Sequence, residues 1–258
     1  MIIDAIKTKI HGIIGREILF FENVSSTNTI ALELAGKVSE GTVVLADSQD
    51  KGRGRLGRIW ISPSGVNIYM SVILRPQMSP KDSSLITIMS SVACATALRN
   101  VTGVMVTTKW PNDLMINNKK VGGILTELKT KQQKITSAIV GIGINVNIEI
   151  IEFPKDIKNK ATSLKNEAGV SYSRELIVAE ILNEMDKWYK TLKIMEKETI
   201  VRAWKNLTST LGKKVMIITP YETLSGIADS IDNEGKLILR LPSGESKRIN
   251  SGDLTILR

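Results

Sequence analysis

The chain is poor in the residue types that most often carry metal or covalent chemistry. Its 258 residues include one cysteine, Cys94, and one histidine, His11. A single cysteine excludes a disulfide framework and a cysteine zinc site within the chain. Cys94 lies in an apolar helical stretch and reads as a small core residue. His11 stands in a short N-terminal segment away from any motif. That argues against a Ser-His-Asp triad and a multi-histidine metal site. No signal peptide and no apolar run of membrane length stands out. With no disulfides, the expectation is a cytoplasmic protein without a membrane partner. There is no internal repeat and no low-complexity tract.

What the chain does have is enough apolar residues, 42%, for a real core, and the length for one large domain plus a small one. Net charge is +9, which admits nucleic acid, an anionic cofactor or an acidic protein, and sign alone does not separate these. The lysines are scattered rather than lined along one helix, as on a solvated surface.

Periodicity gives an α+β order. A short helix or lead-in covers 1–15, and a strand runs from Glu17 to Val24. Ser26-Thr27-Asn28 then supplies cap chemistry for a helix from Thr29 to about Lys37. Thr42 to Asp47 is a buried strand. Val66 to Leu74 alternates, with Asn67, Tyr69 and Ser71 on the polar face. Asp82 can cap a long helix with Leu85, Ile88, Met89, Val92 and Leu98 at helical spacing. Strands follow at Val104–Thr108, Leu114–Ile116, Lys120–Leu128 and Ile135–Asn147, with turns at Asn117-Asn118 and Lys131-Gln132. After a mixed segment at 149–172, Ser173 starts a helix, and a second helical run covers Glu196 to Leu211. Residues 213–258 read as about five short strands broken by turns, the pattern of a small β-barrel. The expected division is 1–211 and 212–258.

The most informative run is Gly52-Arg53-Gly54-Arg55-Leu56-Gly57-Arg58-Ile59-Trp60. Glycines allow close backbone approach, and arginines present donor forks suited to phosphate and carboxylate. Together they describe a mobile or tightly turned loop that closes over an anion. In Ile139–Asn147 one face is oily and the other carries Gly141, Gly143, Asn145 and Asn147. Glycine inside a strand often marks close approach of a ligand or of another part of the chain. Gly122-Gly123 repeats the signal, and the pair of strands suggests a floor for a flat ligand.

In order, SSTN, GRGRxGRxW, KWPNDL, KxGGIL and GIGINVN resemble the catalytic domain of biotin protein ligases over about residues 17–147. The final segment resembles that family's C-terminal domain. The resemblance implies a mixed or antiparallel sheet like that of class II aminoacyl-tRNA synthetases, with flanking helices and a C-terminal SH3-like barrel. It implies formation of biotinyl-5′-AMP from biotin and Mg²⁺-associated ATP, then transfer to a lysine of a biotin carboxyl carrier protein. Lys120, Arg55 and Asp113 would be catalytic. Ser26, Thr27, Asn28, Gln49, Gly52, Arg53, Gly54, Arg55, Lys120 and Gly123 would bind biotin. Arg55, Arg58, Trp60, Asn112, Lys120 and Asn145 would bind the adenylate. Asp113 would accept the lysine proton or help hold the metal, whose ligands stay unassigned. Only 24 residues precede Ser25, too few for the winged helix of bifunctional members, so a monofunctional ligase without nucleic acid is expected, and the resemblance implies a homodimer paired through sheet edges. A lipoate ligase would leave Ser26, Thr27 and Gln49 without a role, and a DNA-binding sensor would need the winged helix.

Overall fold

A computed structural model describes residues 1–257. The elements are α1 (Ile3–Lys7), β1 (Ile18–Val24), α2 (Thr27–Leu34), β2 (Val43–Gln49), β3 (Ile68–Leu74), α3 (Ser84–Thr102), β4 (Thr107–Lys109), β5 (Asp113–Ile116), β6 (Lys119–Lys131) and β7 (Lys134–Ile144). Then come α4 (Leu164–Ala168), α5 (Arg174–Lys193), α6 (Lys197–Leu207), β8 (Lys214–Ile218), β9 (Thr223–Ile231), β10 (Leu237–Arg240), β11 (Ser246–Ile249) and β12 (Asp253–Ile256).

Seven strands form one mixed sheet in the order β1-β2-β3-β7-β6-β5-β4. Only β1 and β2 run parallel; the other neighbours are antiparallel. Alternation sends Ile68, Met70, Val72 and Leu74 of β3 into one core with Leu85, Met89 and Val92 of α3 and Ile177, Ile181 and Met185 of α5. The opposite face is expected to be polar, yet every residue of β3 is buried. Ile73, Val44 and Ile139 pack under Ala31 of α2 and Ala35 just after it, and this helix covers only part of the face. Asn28 at its start also covers Ser71 and Gly141, and Trp60 at the end of the Gly/Arg loop covers Gly143.

Local corrections have physical causes. Ser173 caps α5 as expected, its Oγ accepting from Leu176 N. Asp82 does not cap α3; it is buried and pairs with Lys197 at 2.8 Å. The β6–β7 turn falls one residue later than expected, on Gln132 and Gln133, both at positive φ. Pro80–Thr102, which contains α3, does have the length and apolarity to cross a membrane, against the expectation of no such run. It is a core helix, with 67% of its apolar 18-residue stretch buried.

The second sheet has the order β11-β10-β9-β8-β12. The expected barrel is not closed, since β11 and β12 form no ladder with each other. Four strand spacings would separate flat edges by about 19 Å. The chain from Ile249 to Asp253 spans only about 14 Å when fully extended. The sheet is therefore strongly curled but open. Its apolar face, including Val215, Ile217, Ala228 and Leu254, is continuous with the main core.

Candidate active site

Register builds the site row by row. Residues directly opposite in antiparallel strands share a face, so Tyr69, Gly143, Gly123, Asp113 and Lys109 form one row across five strands. The next row is Ser71, Gly141 and Leu125, and the third is Ile73, Ile139 and Glu127.

Lys120 reaches this face through a bulge. It lies three residues before Gly123, so regular alternation would point it into the core. The β5–β6 register shifts between Leu114 and Met115, pairing Leu114 with Gly122 but Met115 with Lys120. The extra residue, Val121, goes into the core, and Lys120 emerges beside Gly123. A Cβ on Gly123 would stand 3.2 Å from Lys120 Nζ. The backbone of Lys120 is clamped in turn, its N donating to Lys160 O at 2.8 Å and its O accepting from Thr162 N at 2.9 Å.

Cations and carboxylates gather at this end. Lys120 forms an ion pair with Asp113, and Lys109 lies 3.9 Å from the same carboxylate. Lys120 Nζ also sits 5.6 Å from the centre of the Trp60 ring. Arg55 Nη1 donates to Asn112 Oδ1 at 3.2 Å and to Gly252 O at 3.4 Å, and Arg58 pairs with Asp253. Burial pushes the Arg55 guanidinium below its usual range, opposed by Asp113 and Asp253. The hydrogen bond to Asp253 pushes Arg58 up. The Gly/Arg run is the tightly turned alternative. Gly54 N donates to Arg58 O at 2.7 Å and Trp60 N to Gly52 O at 2.9 Å, with Leu56 and Gly57 at positive φ. Each arginine has an acceptor, so their mutual repulsion is offset. The run faces Leu125, Thr126 and Glu127 across a cleft of about 510 Å³.

The other end is a neutral hydrogen-bond cluster. Thr27 N donates to Gln49 Oε1 at 2.9 Å, and Gln49 Nε2 donates to Ser62 Oγ at 2.9 Å. Ser71 Oγ lies 2.8 Å from Thr27 Oγ1 and 2.6 Å from Asn28 Oδ1. Asn28 Nδ2 donates to Glu127 Oε2 at 2.7 Å and to Leu125 O at 3.2 Å. Arg53 Nη2 donates to the same Glu127 oxygen at 2.8 Å.

The glycine floor is covered by the protein's own side chains rather than bare. A Cβ on Gly143 would stand 2.6 Å from Trp60 Nε1, and one on Gly141 would overlap Asn28 Oδ1. The glycines make room for an indole and a carboxamide, which then form the surface offered to a ligand. Trp60 Nε1 is buried with no partner among the described residues.

Comparison with known proteins matches this layout. Residues 20–145 match the Biotin/lipoate A/B protein ligase family, and residues 210–254 match the Biotin protein ligase C terminal domain. The bifunctional ligase/repressor BirA of Bacillus subtilis is 36% identical over 245 residues, covering 95% of this chain and 75% of that protein. The chain belongs to the biotin protein ligases. The biotin–[acetyl-CoA-carboxylase] ligase of Paracoccus denitrificans is 33% identical over 85% of this chain and 92% of its own. The biotin protein ligase of Aquifex aeolicus, solved in complex with biotin and ATP, superposes with a TM-score of 0.79 at 30% identity, covering 94% of this chain and 99% of that one.

Within this ligase fold, most of the residues expected from sequence converge. Lys120, Arg55, Arg58, Trp60, Asn112 and Asp113 meet at the charged end, and Thr27, Asn28, Gln49 and Arg53 at the neutral end. Gly52 is pinned between them, since a Cβ there would stand 2.6 Å from Ser62 Oγ. Ser26 begins α2 but makes no capping bond. Thr27 and Asn28 lie inside the helix rather than before it, which turns their side chains toward the sheet. Asn145 is buried, its Nδ2 donating to Thr162 O at 3.0 Å, so it braces the segment that clamps Lys120. Sequence reading missed Glu127, Ser62 and Asp253. Glu127 has a signal in hindsight: a charge on the same strand face as Gly123 and Leu125.

Proposed function

We propose that the charged end of this cleft activates the biotin carboxylate and that the neutral end holds the biotin head. The chain is an ATP-dependent biotin protein ligase. A carboxylate oxygen of biotin bonds to the α-phosphorus of ATP, the bond to the bridging oxygen breaks, and pyrophosphate leaves. The acceptor lysine nitrogen then bonds to the acyl carbon, AMP leaves, and the lysine proton is lost. The first step brings anions together, and positioned cations offset the charge that builds on phosphorus.

Lys120 is assigned to bridge the biotin carboxylate and the α-phosphate. Its delivery by a bulge to the one place where Asp113, Lys109 and Trp60 meet is the observation that carries this reading. Arg55 and Arg58 would hold phosphates, exchanging Asn112 and Asp253 for the ligand. Thr27, Asn28, Gln49 and Ser26 would meet the ureido group, and the backbone of Gly52, Arg53 and Gly54 would close over the ring. Gly123 and Leu125 would flank the valeryl chain, with Trp60 packed beside the adenine. Asn112 and Asp113 would face the incoming lysine, and Asn145 would support the adenylate from below. Among the described residues no three His, Cys, Asp or Glu side chains form a metal cluster. The donors fit an Mg²⁺ carried by the triphosphate better than a resident ion.

The test is intact-mass analysis of an apo biotin carboxyl carrier domain incubated with the protein, Mg²⁺-ATP and either biotin or lipoate. One biotin adduct and no lipoyl adduct is expected. A lipoyl adduct, or none from either acid, would overturn the assignment of the neutral end.

The same reading divides the chain into a class II synthetase-like catalytic part, 1–211, and an SH3-like part, 212–258, in a cytoplasmic homodimer that works without nucleic acid. The dimer is supported by β6, whose edge beyond Leu125 has no partner in β5 and so invites pairing. Sedimentation velocity should return twice the chain mass and no further increase with duplex DNA. The mass of a single chain would overturn the dimer, and a DNA-dependent increase the independence from nucleic acid.

A further inference from the structure

We propose that Glu167 is a positioning residue for Lys120, tying the turn that starts its strand to the segment that clamps its backbone. The proposal rests on the assignment of Lys120 to the biotin carboxylate and the α-phosphate.

The aim of Lys120 is not secured by its own sheet. On one edge the β5–β6 register shifts between Leu114 and Met115, beside Lys120, and a bulge breaks the ladder locally and leaves a residue unpaired. On the other edge the ladder with β7 begins only at Gly122. The place of β7 beside Lys120 is taken by a segment outside any strand, with Ala161 in a parallel bridge to Lys120. Lys120 N donates to Lys160 O at 2.8 Å, and Thr162 N donates to Lys120 O at 2.9 Å. Such a segment must itself be held if it is to hold the lysine.

Thr162 is the anchor. It is fully buried, and each of its polar groups meets a different element. Its N donates to Lys120 in β6, its O accepts from Asn145 Nδ2 at 3.0 Å just past β7, and its Oγ1 donates to Glu167 Oε1 in α4 at 2.6 Å. The second oxygen of Glu167 reaches the β5–β6 hairpin, where Oε2 accepts from Asn117 Nδ2 at 2.7 Å. Asn117 and Asn118 form the two-residue turn between Ile116 and Lys119, both at positive φ, as such hairpins require. One carboxylate therefore holds the turn three residues before Lys120 and the clamp on Lys120 itself. The start of α4 is a fixed point for it: Leu164 N donates to Asn145 O at 3.1 Å and Lys165 N to Val146 O at 2.9 Å, and Ser163 Oγ accepts from Asn166 N at 3.2 Å. Without the carboxylate the turn and the clamp can shift separately, and the bulge between them passes the shift to Nζ. A misplacement of about 1 Å can cost about 10²-fold in rate. The biotin head and the outer phosphates bind elsewhere in the cleft, so the loss falls on kcat.

The experiment measures biotin-dependent exchange of pyrophosphate into ATP by the full chain, with Glu167→Ala and Glu167→Gln placed in the wild-type and Lys120→Ala backgrounds. In the wild-type background Glu167→Ala should lower kcat by about 10–100-fold, with KM for biotin and for ATP within about threefold. Glu167→Gln keeps polar atoms in reach of both Thr162 and Asn117 and should restore kcat to within about threefold. In the Lys120→Ala background Glu167→Ala should cost less than about threefold more, because residues that act as one unit are not additive. A merely structural role would lower the rate by the same factor in both backgrounds or raise both KM values together. Either result, or a kcat for Glu167→Ala within threefold of wild type, would overturn the proposal. If Glu167→Ala does not fold, Asn117→Gly decides the matter: glycine accepts the positive φ of the turn and removes only the tie to Glu167. A fall in kcat of at least about threefold at unchanged KM is then expected, and an unchanged kcat would overturn the proposal. Exchange by Lys120→Ala within tenfold of wild type would instead sink the assignment of Lys120.

Discussion

Lys120→Ala is expected to lower the rate of biotinyl-adenylate formation by about 10²–10³-fold while leaving the fold intact, the usual worth of one preorganised electrostatic donor. The magnitude follows from position rather than from charge alone. The bulge in β6 places Nζ where Asp113, the Trp60 ring and the Gly123 backbone converge, and its backbone is held by Lys160 and Thr162. None of the other cations can replace it. Lys109 reaches Asp113 only at 3.9 Å, and Arg55 and Arg58 are held on the side of the second sheet by Gly252 and Asp253. The fold should tolerate the change because the Lys120 side chain is 32% exposed, and truncation leaves no sealed cavity. Lys120→Arg should recover little, since a planar fork cannot take the place of a compact ammonium in so tight a site. Biotin-dependent exchange of pyrophosphate into ATP measures the step directly, with circular dichroism as the folding control. Exchange within tenfold of wild type would remove Lys120 from its assigned role.

Strand alternation and loop composition made much of this site legible in the sequence. Gly123, Gly141 and Gly143 stand at period-two positions in strands, and three arginines with three glycines mark one turn. What alternation could not give was Lys120. It is three residues from Gly123, on the wrong face by simple counting, and only the register shift in the β5–β6 pairing returns it to the cleft. The same blindness to pairing hid Ser71: its polar face was evident, but the row joining it to Gly141 and Leu125 exists only once β3 and β6 flank β7. Asp253 had no signal at all. It is far from the Gly/Arg loop along the chain and meets Arg58 only because the second sheet docks there. The flat floor read from the glycines holds Asn28 over Gly141 and Trp60 over Gly143, because space for a side chain and space for a ligand leave the same mark on a sequence.

That ambiguity can be resolved with the second large effect, Gly141→Ala, which should raise KM for biotin by about 10–100-fold, equivalent to one or two buried hydrogen bonds lost. A methyl at this position would overlap Asn28 Oδ1 and stand 2.9 Å and 3.0 Å from Asn28 Cγ and Nδ2. Asn28 cannot simply lean aside, because Ser71, Glu127 and Leu125 O hold its carboxamide at both ends. The methyl must therefore push Asn28 off the strand, taking the orientation of Ser71 and Thr27 with it. Overpacking of this kind costs about 1–3 kcal/mol, so a modest fall in melting temperature should accompany the change. Gly36→Ala is the control: nothing lies within 4 Å of the added Cβ, and neither biotin binding nor stability should move much. KM for ATP separates the two ends of the cleft and should stay near wild type in Gly141→Ala, since Arg55, Arg58 and Lys120 are not displaced. Gly143→Ala, whose Cβ would stand 2.6 Å from the Trp60 indole, should disturb both substrates because Trp60 also packs against Lys120. If Gly141→Ala leaves KM for biotin within threefold, the biotin head does not bind over Asn28, and the neutral end of the cleft must be assigned anew.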